Sequence, residues 1–127
     1  MKFFFDNNIS PRFAAMLRAL GVDSVALREE FPENISDEKL FRAIGGRDLI
    51  FVTGDRRIKT RQIETQALRI AKVTSLFLGP FWGKLNFWQQ AAWLVTAWPG
   101  IEGFFTPVAK GTCAEISRNR RIDPFQL

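Results

Sequence analysis

The sequence predicts an α/β domain built on a largely parallel sheet, and three observations lead to that prediction. Short β-rich runs alternate with helical apolar stripes along the chain. The run DLIFVT at residues 48–53 is almost continuously apolar, as expected of a central strand buried on both faces. The chain has 127 residues, of which 46% are hydrophobic and 24% charged. We therefore expect a single domain over residues 1–127, with an α/β core at 1–100 and a C-terminal hairpin extension at 101–127.

The first elements carry local boundary signals. Residues 2–5 form the first predicted strand, because they are apolar and aromatic. Ser10 is a helix N-cap and Pro11 fits the first helical position, so a helix begins there. Gly21 ends this helix, and residues 22–27 form a second predicted strand.

The middle of the chain continues the alternation. Ser36 caps a short second helix, which Gly45 ends, and the strand at 48–53 follows. A third helix is predicted from about residue 60 to 71. A fourth strand over residues 73–78 completes this part of the sheet.

The remaining elements are one helix and a hairpin. A fourth helix is predicted from about residue 84 to 98, where Pro99 and the glycine after it should halt it. The tail alternates weakly over residues 104–108 and 112–116, which indicates a hairpin with Gly111 at its turn.

Composition excludes several kinds of chemistry. The chain has no histidine, which removes Ser-His-Asp triads and histidine-ligated zinc sites. Cys113 is the only cysteine, so no internal disulfide forms and a reducing cytoplasm fits best. Asp6 interrupts the apolar start too early for a signal peptide, and we expect no membrane association. A formal net charge of +5 indicates a polyanionic partner.

Two aspartates follow predicted strands directly. Asp6 comes after the first strand, and Asp55 follows the central strand by two residues. In open parallel sheets ligands bind outside the carboxyl ends of the strands, where acids from different strands converge. The alternative is that each aspartate only forms a local turn.

Two further acids lie at the beginnings of predicted helices. Asp37 stands three residues before Leu40 and seven before Ile44, so it shares the buried face, whereas Glu38 points about 100° away. Glu64 likewise begins a stripe that should face the sheet. The alternative is that both are first-turn acids that the helix dipole favours.

A cluster of carboxylates needs a cation, because like charges brought together repel. Carboxylate-only ligation suits Mg²⁺ or Mn²⁺, which can activate water against a phosphodiester. Asn7, beside Asp6, is a candidate neutral oxygen ligand or a residue that orients water or substrate. A role for Asn7 in a simple turn is the alternative.

The segments FFFDNNISPRFAAMLRALG, SDEKLFRAI and DLIFVTGDRRI, together with the later Glu64, resemble the PIN-like nuclease superfamily over about residues 1–100. The resemblance is to the small toxin components of bacterial toxin-antitoxin pairs of the VapC kind. It implies a three-layer α/β/α sandwich, Mg²⁺- or Mn²⁺-dependent endoribonuclease activity on RNA, and often a cognate antitoxin.

The resemblance also implies a site. Position by position, it assigns the metal ligands to Asp6, to Asp37 or its alternative Glu38, and to Asp55 in the T-x-D turn that begins at Thr53. These aspartates, with Glu64, are the predicted catalytic residues. Thr53 and Asn7 are predicted to contact substrate.

Basic residues concentrate beside Asp55. Between residues 56 and 72 there are six basic residues and one acid. Four of them follow Asp55 directly, where they are candidates to grip RNA phosphates: Arg56, Arg57, Lys59 and Arg61. The alternative is a solvated surface. A second basic patch at residues 118–121 is interpreted as a turn or an antitoxin-facing surface.

Two features leave other interpretations open. Many aromatic residues lie in the fourth helix and in the segment before it, and we interpret them as core residues or as a subunit interface of a homodimer. An exposed Trp82 or Trp88 would favour a partner surface. Two alternative functions remain: a catalytically inactive PIN-like module that binds nucleic acid or a partner, and a receiver-like domain phosphorylated on Asp55. The second matches poorly, because Asn7 and not a second acid follows Asp6.

Overall fold

The structure, a computed structural model, describes residues 1–126 and contains one sheet of six strands. The spatial order is β2-β1-β3-β4-β5-β6. The first five strands are parallel, and β6 runs antiparallel to β5. The strands are β1 (Lys2–Phe5), β2 (Ser24–Ala26), β3 (Leu49–Thr53), β4 (Thr74–Leu78), β5 (Cys113–Ile116) and β6 (Ile122–Phe125).

Helices connect the parallel strands, as the alternating sequence pattern predicts. A 3₁₀ turn, Pro80–Lys84, follows β4. Among residues 1–126, no helix is long and apolar enough to span a membrane. The helices are α1 (Pro11–Ala19), α2 (Leu27–Glu30), α3 (Asp37–Ile44), α4 (Arg57–Thr60), α5 (Gln62–Ala71) and α6 (Phe87–Phe105).

Two hydrophobic cores lie on the two faces of the sheet. One core joins α1 and α6 to the sheet through residues such as Phe13 and Trp98, which packs edge-on against Phe3 at 4.7 Å. The other core joins α3 and α5 through residues such as Phe41 and Leu68. Strand residues alternate between the two cores along β1 and β3. The three-layer α/β/α sandwich is therefore confirmed.

The strand order places a topological switch at the centre of the sheet. From β1 the chain moves outward to β2, and it then returns to add β3 on the other side of β1. The connections that leave β1 and β3 consequently run on opposite faces, with α1 in one core and α5 in the other. A crevice at the carboxyl ends of β1 and β3 follows from this geometry.

Two predicted boundaries in the first half need correction. The second strand is shorter than residues 22–27, because Glu29 in α2 accepts a 2.7 Å hydrogen bond from the amide of Ala26 and the chain turns into a helix. The single helix predicted over 60–71 is two helices, α4 and α5. Arg61 lies between them with an extended backbone, φ −82° and ψ 119°.

The predicted end of the fourth helix is wrong, because α6 begins at Phe87 and continues through Pro99 to Phe105. Proline inside a helix costs about 3 kcal/mol. Ile101 and Phe105 are both fully buried beyond it, and burial of each such side chain contributes about 1.5–3 kcal/mol. Core packing on the far side of Pro99 thus outweighs the local penalty.

The C-terminal hairpin and its predicted strand at 112–116, observed as β5, are confirmed, but the predicted partner strand at 104–108 and the turn at Gly111 are wrong. Residues 104 and 105 belong to α6, and the hairpin pairs β5 with β6. The turn lies at residues 117–121, where the amide of Ser117 donates to the carbonyl of Arg121 over 3.0 Å. Gly111, with φ +87°, lies in the loop before β5. Because β5 also pairs with β4, residues 113–116 extend the central sheet.

Candidate functional site

Asp6 and the segment leading to Asp55 meet at the carboxyl ends of the adjacent strands β1 and β3. Thr53, at the end of β3, connects them through its buried hydroxyl. This hydroxyl donates a 2.7 Å hydrogen bond to Asp6 Oδ2 and accepts a 3.0 Å bond from the backbone amide of Asp55. The two aspartates predicted to converge are therefore held by one shared side chain, which does not itself face solvent.

Two asparagines complete the connection between the strand ends. Asn8, which the sequence analysis did not assign to the site, accepts a 3.1 Å bond from the amide of Gly54 and donates to Thr53 Oγ1 at 3.4 Å. Asn7 donates its backbone amide to Asp6 Oδ1 at 2.8 Å and its side-chain amide to the carbonyl of Glu33 at 2.8 Å. Asn7 Oδ1 is buried and has no hydrogen-bond partner among the described residues.

The four predicted acids share one electrostatic environment. Burial raises the pKa of Asp6, and the charge of Asp55 raises it further. Partial burial raises the pKa of Asp37, and the charges of Asp6, Asp55 and Glu64 add to the increase. Glu38 is exposed and pairs with Arg42 of the same helix at 3.0 Å. Asp37 thus interacts electrostatically with the other three carboxylates.

Two of the predicted substrate-binding arginines lie among these carboxylates. The Arg57 guanidinium grips Asp55 with two side-chain bonds of 2.9 and 3.0 Å. These hydrogen bonds lower the pKa of Asp55, whereas they raise that of Arg57, to which the charges of Asp37 and Glu64 also contribute. Arg61 pairs with Glu64 at 3.4 Å. Both arginines therefore supply positive charge to the acid group.

The other two predicted substrate-binding residues contact an acid outside the predicted site. Glu115 on β5 accepts hydrogen bonds from Arg56 at 2.7 Å and from Lys59 at 2.8 Å. Although its burial opposes ionisation, these bonds leave the pKa of Glu115 lowered. The ammonium of Lys59 also lies 4.4 Å from the ring centroid of Phe125 on β6. The loop after Asp55 is thereby attached to the C-terminal hairpin.

The donor set fits a hard divalent cation in its chemistry. Within residues 1–126, no three acidic or thiol side chains lie close enough together to hold a metal ion as they stand. The predicted ligands Asp6, Asp37 and Asp55 nevertheless supply the carboxylate oxygens that Mg²⁺ and Mn²⁺ prefer. The unpartnered Oδ1 of Asn7 is a further oxygen beside Asp6.

Most of the aromatic residues near the fourth helix are core, as one of the two interpretations held. Trp82, Trp93 and Trp98 are buried. Trp88, by contrast, is 82% exposed on α6, next to the partly exposed Phe87. These two residues form an apolar surface away from the sheet.

Comparison with known proteins agrees with this fold. A family model described as PIN like domain matches residues 1–80, which include β1 to β4 and all four acids. The match covers more than half of the chain, so the chain belongs to the PIN-like domain family. No curated protein and no solved structure gave a significant match. The family match favours the PIN-like interpretation over the receiver-like alternative.

Proposed function

We propose that this chain is an endoribonuclease that hydrolyses RNA phosphodiester bonds with Mg²⁺ or Mn²⁺ held by Asp6, Asp37 and Asp55. The carrying observation is that Thr53 joins Asp6 to the segment of Asp55 at the switch point of a PIN-like fold, where the charges of Asp6, Asp55 and Glu64 also act on Asp37. Domains of this family are commonly nucleases, and their chemistry needs acids in this place.

In this proposal different residues of the chain bind the ion, transfer the proton and contact the RNA. A bound divalent ion supplies Lewis acidity to the phosphodiester and to an attacking water. Thr53 orients the Asp6 carboxylate through its 2.7 Å bond and leaves Asp6 Oδ1 with a single backbone donor. Glu64, at the first turn of α5, would accept the proton from that water. Arg57 and Arg61, when released from the acids, would contact the phosphates on either side of the cut.

The resemblance to VapC-type toxins extends the proposal to a biological setting. We place the protein in the cytoplasm as the toxin of a toxin-antitoxin pair, with an antitoxin as its protein partner and a homodimer as its candidate assembly. The exposed Trp88 on α6 provides an apolar surface of the kind that such partners cover.

The test compares Asp55→Asn with a matched control. Asp23 is exposed, and its carbonyl accepts the amide of Phe3 near the amino end of the sheet, so Asp23→Asn makes the same chemical change far from the acid group. We expect Asp55→Asn to abolish Mn²⁺-dependent RNA cleavage while Asp23→Asn retains it. Undiminished cleavage by purified Asp55→Asn protein would refute the assignment.

A catalytically inactive RNA- or partner-binding module is the second candidate. It is favoured by the arginines that already neutralise Asp55 and Glu64. Such a module would bind RNA equally well in EDTA and in Mn²⁺ and would cleave in neither. The same purified protein therefore distinguishes the two functions.

A further inference from the structure

Two adjoining clefts open along the strands β5 and β6. The larger, of about 660 Å³, lies between the C-terminal half of α5 and the loop before β5, and Lys72 and Lys110 line it. The smaller, of about 330 Å³, lies at the other end of β5, where Lys59, Glu115 and Arg118 line it. Both clefts share Pro124 and Phe125 of β6. We call them together the β5–β6 groove.

The groove carries an excess of positive charge. Lys72, Lys110 and Arg118 are exposed, and none of them pairs with an acid within residues 1–126. The Lys110 ammonium donates to the backbone carbonyl of Gly46 at 3.0 Å. Arg69 lines the larger cleft as well. A row of cations along a concave surface attracts a chain of phosphates.

The two acids of the groove do not cancel this excess. Glu115 is matched by two cations, Arg56 and Lys59, which pair with it at 2.7 and 2.8 Å. Asp123 is paired with Arg121 at 3.1 Å. The larger cleft contains no acid among its described lining residues.

The groove also leads to the carboxylate group. Arg56, which pairs with Glu115 in the groove, follows Asp55 directly in the chain. Lys59 lines the smaller cleft and belongs to α4, the helix that begins two residues after Asp55. A strand bound in the groove would therefore reach the acids without crossing the domain.

We propose that the β5–β6 groove binds the single-stranded RNA segment that flanks the phosphodiester cut at the carboxylate group. This inference rests on the proposed ribonuclease function, and it places the flanking segment on residues beyond the 1–80 family match. The β5 strand has four residues and is about 13 Å long at about 3.3 Å per residue, which separates the cationic ends by a few nucleotides. Phe125 and Pro124 provide an apolar floor between these ends.

The experiment measures binding and not cleavage. A fluorescein-labelled single-stranded RNA is titrated with protein in EDTA at several salt concentrations, and fluorescence anisotropy gives the affinity. The test variant is Lys72→Gln/Lys110→Gln, and the control is Lys39→Gln/Lys84→Gln. The control removes the same net charge from exposed positions outside both clefts, on α3 and on the 3₁₀ turn.

We expect the test variant to bind RNA about tenfold more weakly than the wild type. The negative slope of log K against log[salt] should become shallower by roughly 1.4, since each lost phosphate contact removes about 0.7 from its magnitude. The control should stay within twofold. Mn²⁺ affinity, which depends on Asp6 and Asp55, should be unchanged in both variants, and thermal melting reports whether the Lys110 bond to Gly46 is needed for folding.

Equal RNA affinity in test and control variants would overturn the proposal that the groove binds RNA. The same conclusion would follow if the wild-type protein did not bind single-stranded RNA in EDTA. If melting shows that the double variant is unfolded, Lys72→Gln alone decides the question by the salt slope, because the Lys72 side chain is exposed and forms no ion pair within residues 1–126. Metal-dependent cleavage lost in Asp55→Asn would stand in any of these cases. Failure of the groove and failure of the ribonuclease function are thus separable.

Discussion

The Arg57–Asp55 pair makes a direct prediction about metal binding. Arg57 holds the carboxylate that the proposed site needs, with bonds of 2.9 and 3.0 Å to its two oxygens. A divalent cation must therefore displace this guanidinium from Asp55. Removing the guanidinium by Arg57→Gln should strengthen Mn²⁺ binding in the absence of RNA, although it removes a candidate phosphate contact.

The size of the expected change in Mn²⁺ affinity follows from the solvent exposure of the Arg57–Asp55 pair. The Arg57 side chain is 66% exposed and Asp55 is 17% exposed, so water screens the pair on one side. We expect the Mn²⁺ dissociation constant to fall by roughly two- to fivefold, the range associated with an exposed ion pair, with the smaller effect at high salt. Isothermal titration calorimetry or the Mn²⁺ electron paramagnetic resonance signal measures this constant without any turnover.

The matched control is Arg56→Gln. Arg56 is also exposed and also ion-paired, but its partner is Glu115 and not a predicted ligand. This variant should leave Mn²⁺ affinity unimproved. If Arg57→Gln binds Mn²⁺ no more tightly than the wild type, the cation does not compete with Arg57, and Asp55 is not its ligand.

Three other predictions concern the site and the core. Mn²⁺ at about 100 times its dissociation constant should stabilise the wild type by about 2.7 kcal/mol, which raises the melting temperature by about 10 °C for a domain of this size, and Asp6→Asn should lose the shift. Because burial raises the pKa of Asp6, the metal-free folded state keeps this proton to higher pH than the unfolded chain does, so stability falls as pH rises from about 4 through the folded pKa. Urea melts should then show the wild-type minus Asp6→Asn difference in free energy of unfolding becoming more negative across that interval; a flat difference would contradict the burial argument. Phe51→Ala, in a fully buried central strand, should cost about 3–5 kcal/mol by urea denaturation, and a loss under 1 kcal/mol would contradict its place in the core.

Local signals predicted the first half of the fold well. The hydroxyl of Ser10 accepts from the amide of Arg12 at the beginning of α1, and that of Ser36 accepts from Lys39 at the beginning of α3, as their positions indicated. These caps act within one helical turn, so the sequence alone reveals them. The apolar run that forms β3 is equally local.

Elements stabilised by distant contacts were less predictable. The end of α6 was misplaced because Pro99 is a strong local stop signal, whereas the burial of Phe105 against the far end of the core has no local signature. The partner strand of the hairpin, predicted at 104–108 and observed at Ile122–Phe125, was misplaced for the same reason. The register of β5 is set by pairing with β4, with Leu76 opposite Ala114.

The candidate site divides in a similar way. Sequence order placed Asp6 and Asp55 at strand ends, and helical spacing placed Asp37 on the buried face, because both periodicities are short. Asn8 could have been assigned to the site from the sequence, because it lies two residues beyond Asp6. No local sequence pattern indicates Glu115, because its contacts with Arg56 and Lys59 span 59 and 56 residues.

The sequence by itself determined the α/β alternation, the acids at the strand ends and the absence of histidine chemistry. Only the tertiary structure decided that β1 and β3 are neighbours, that Thr53 joins their ends, and that the basic segment after Asp55 is largely paired with acids. The physical reason is the distance along the chain over which each kind of interaction acts. Capping and periodicity act over a few residues, whereas ion pairs, strand order and core packing depend on which distant segments the fold brings together.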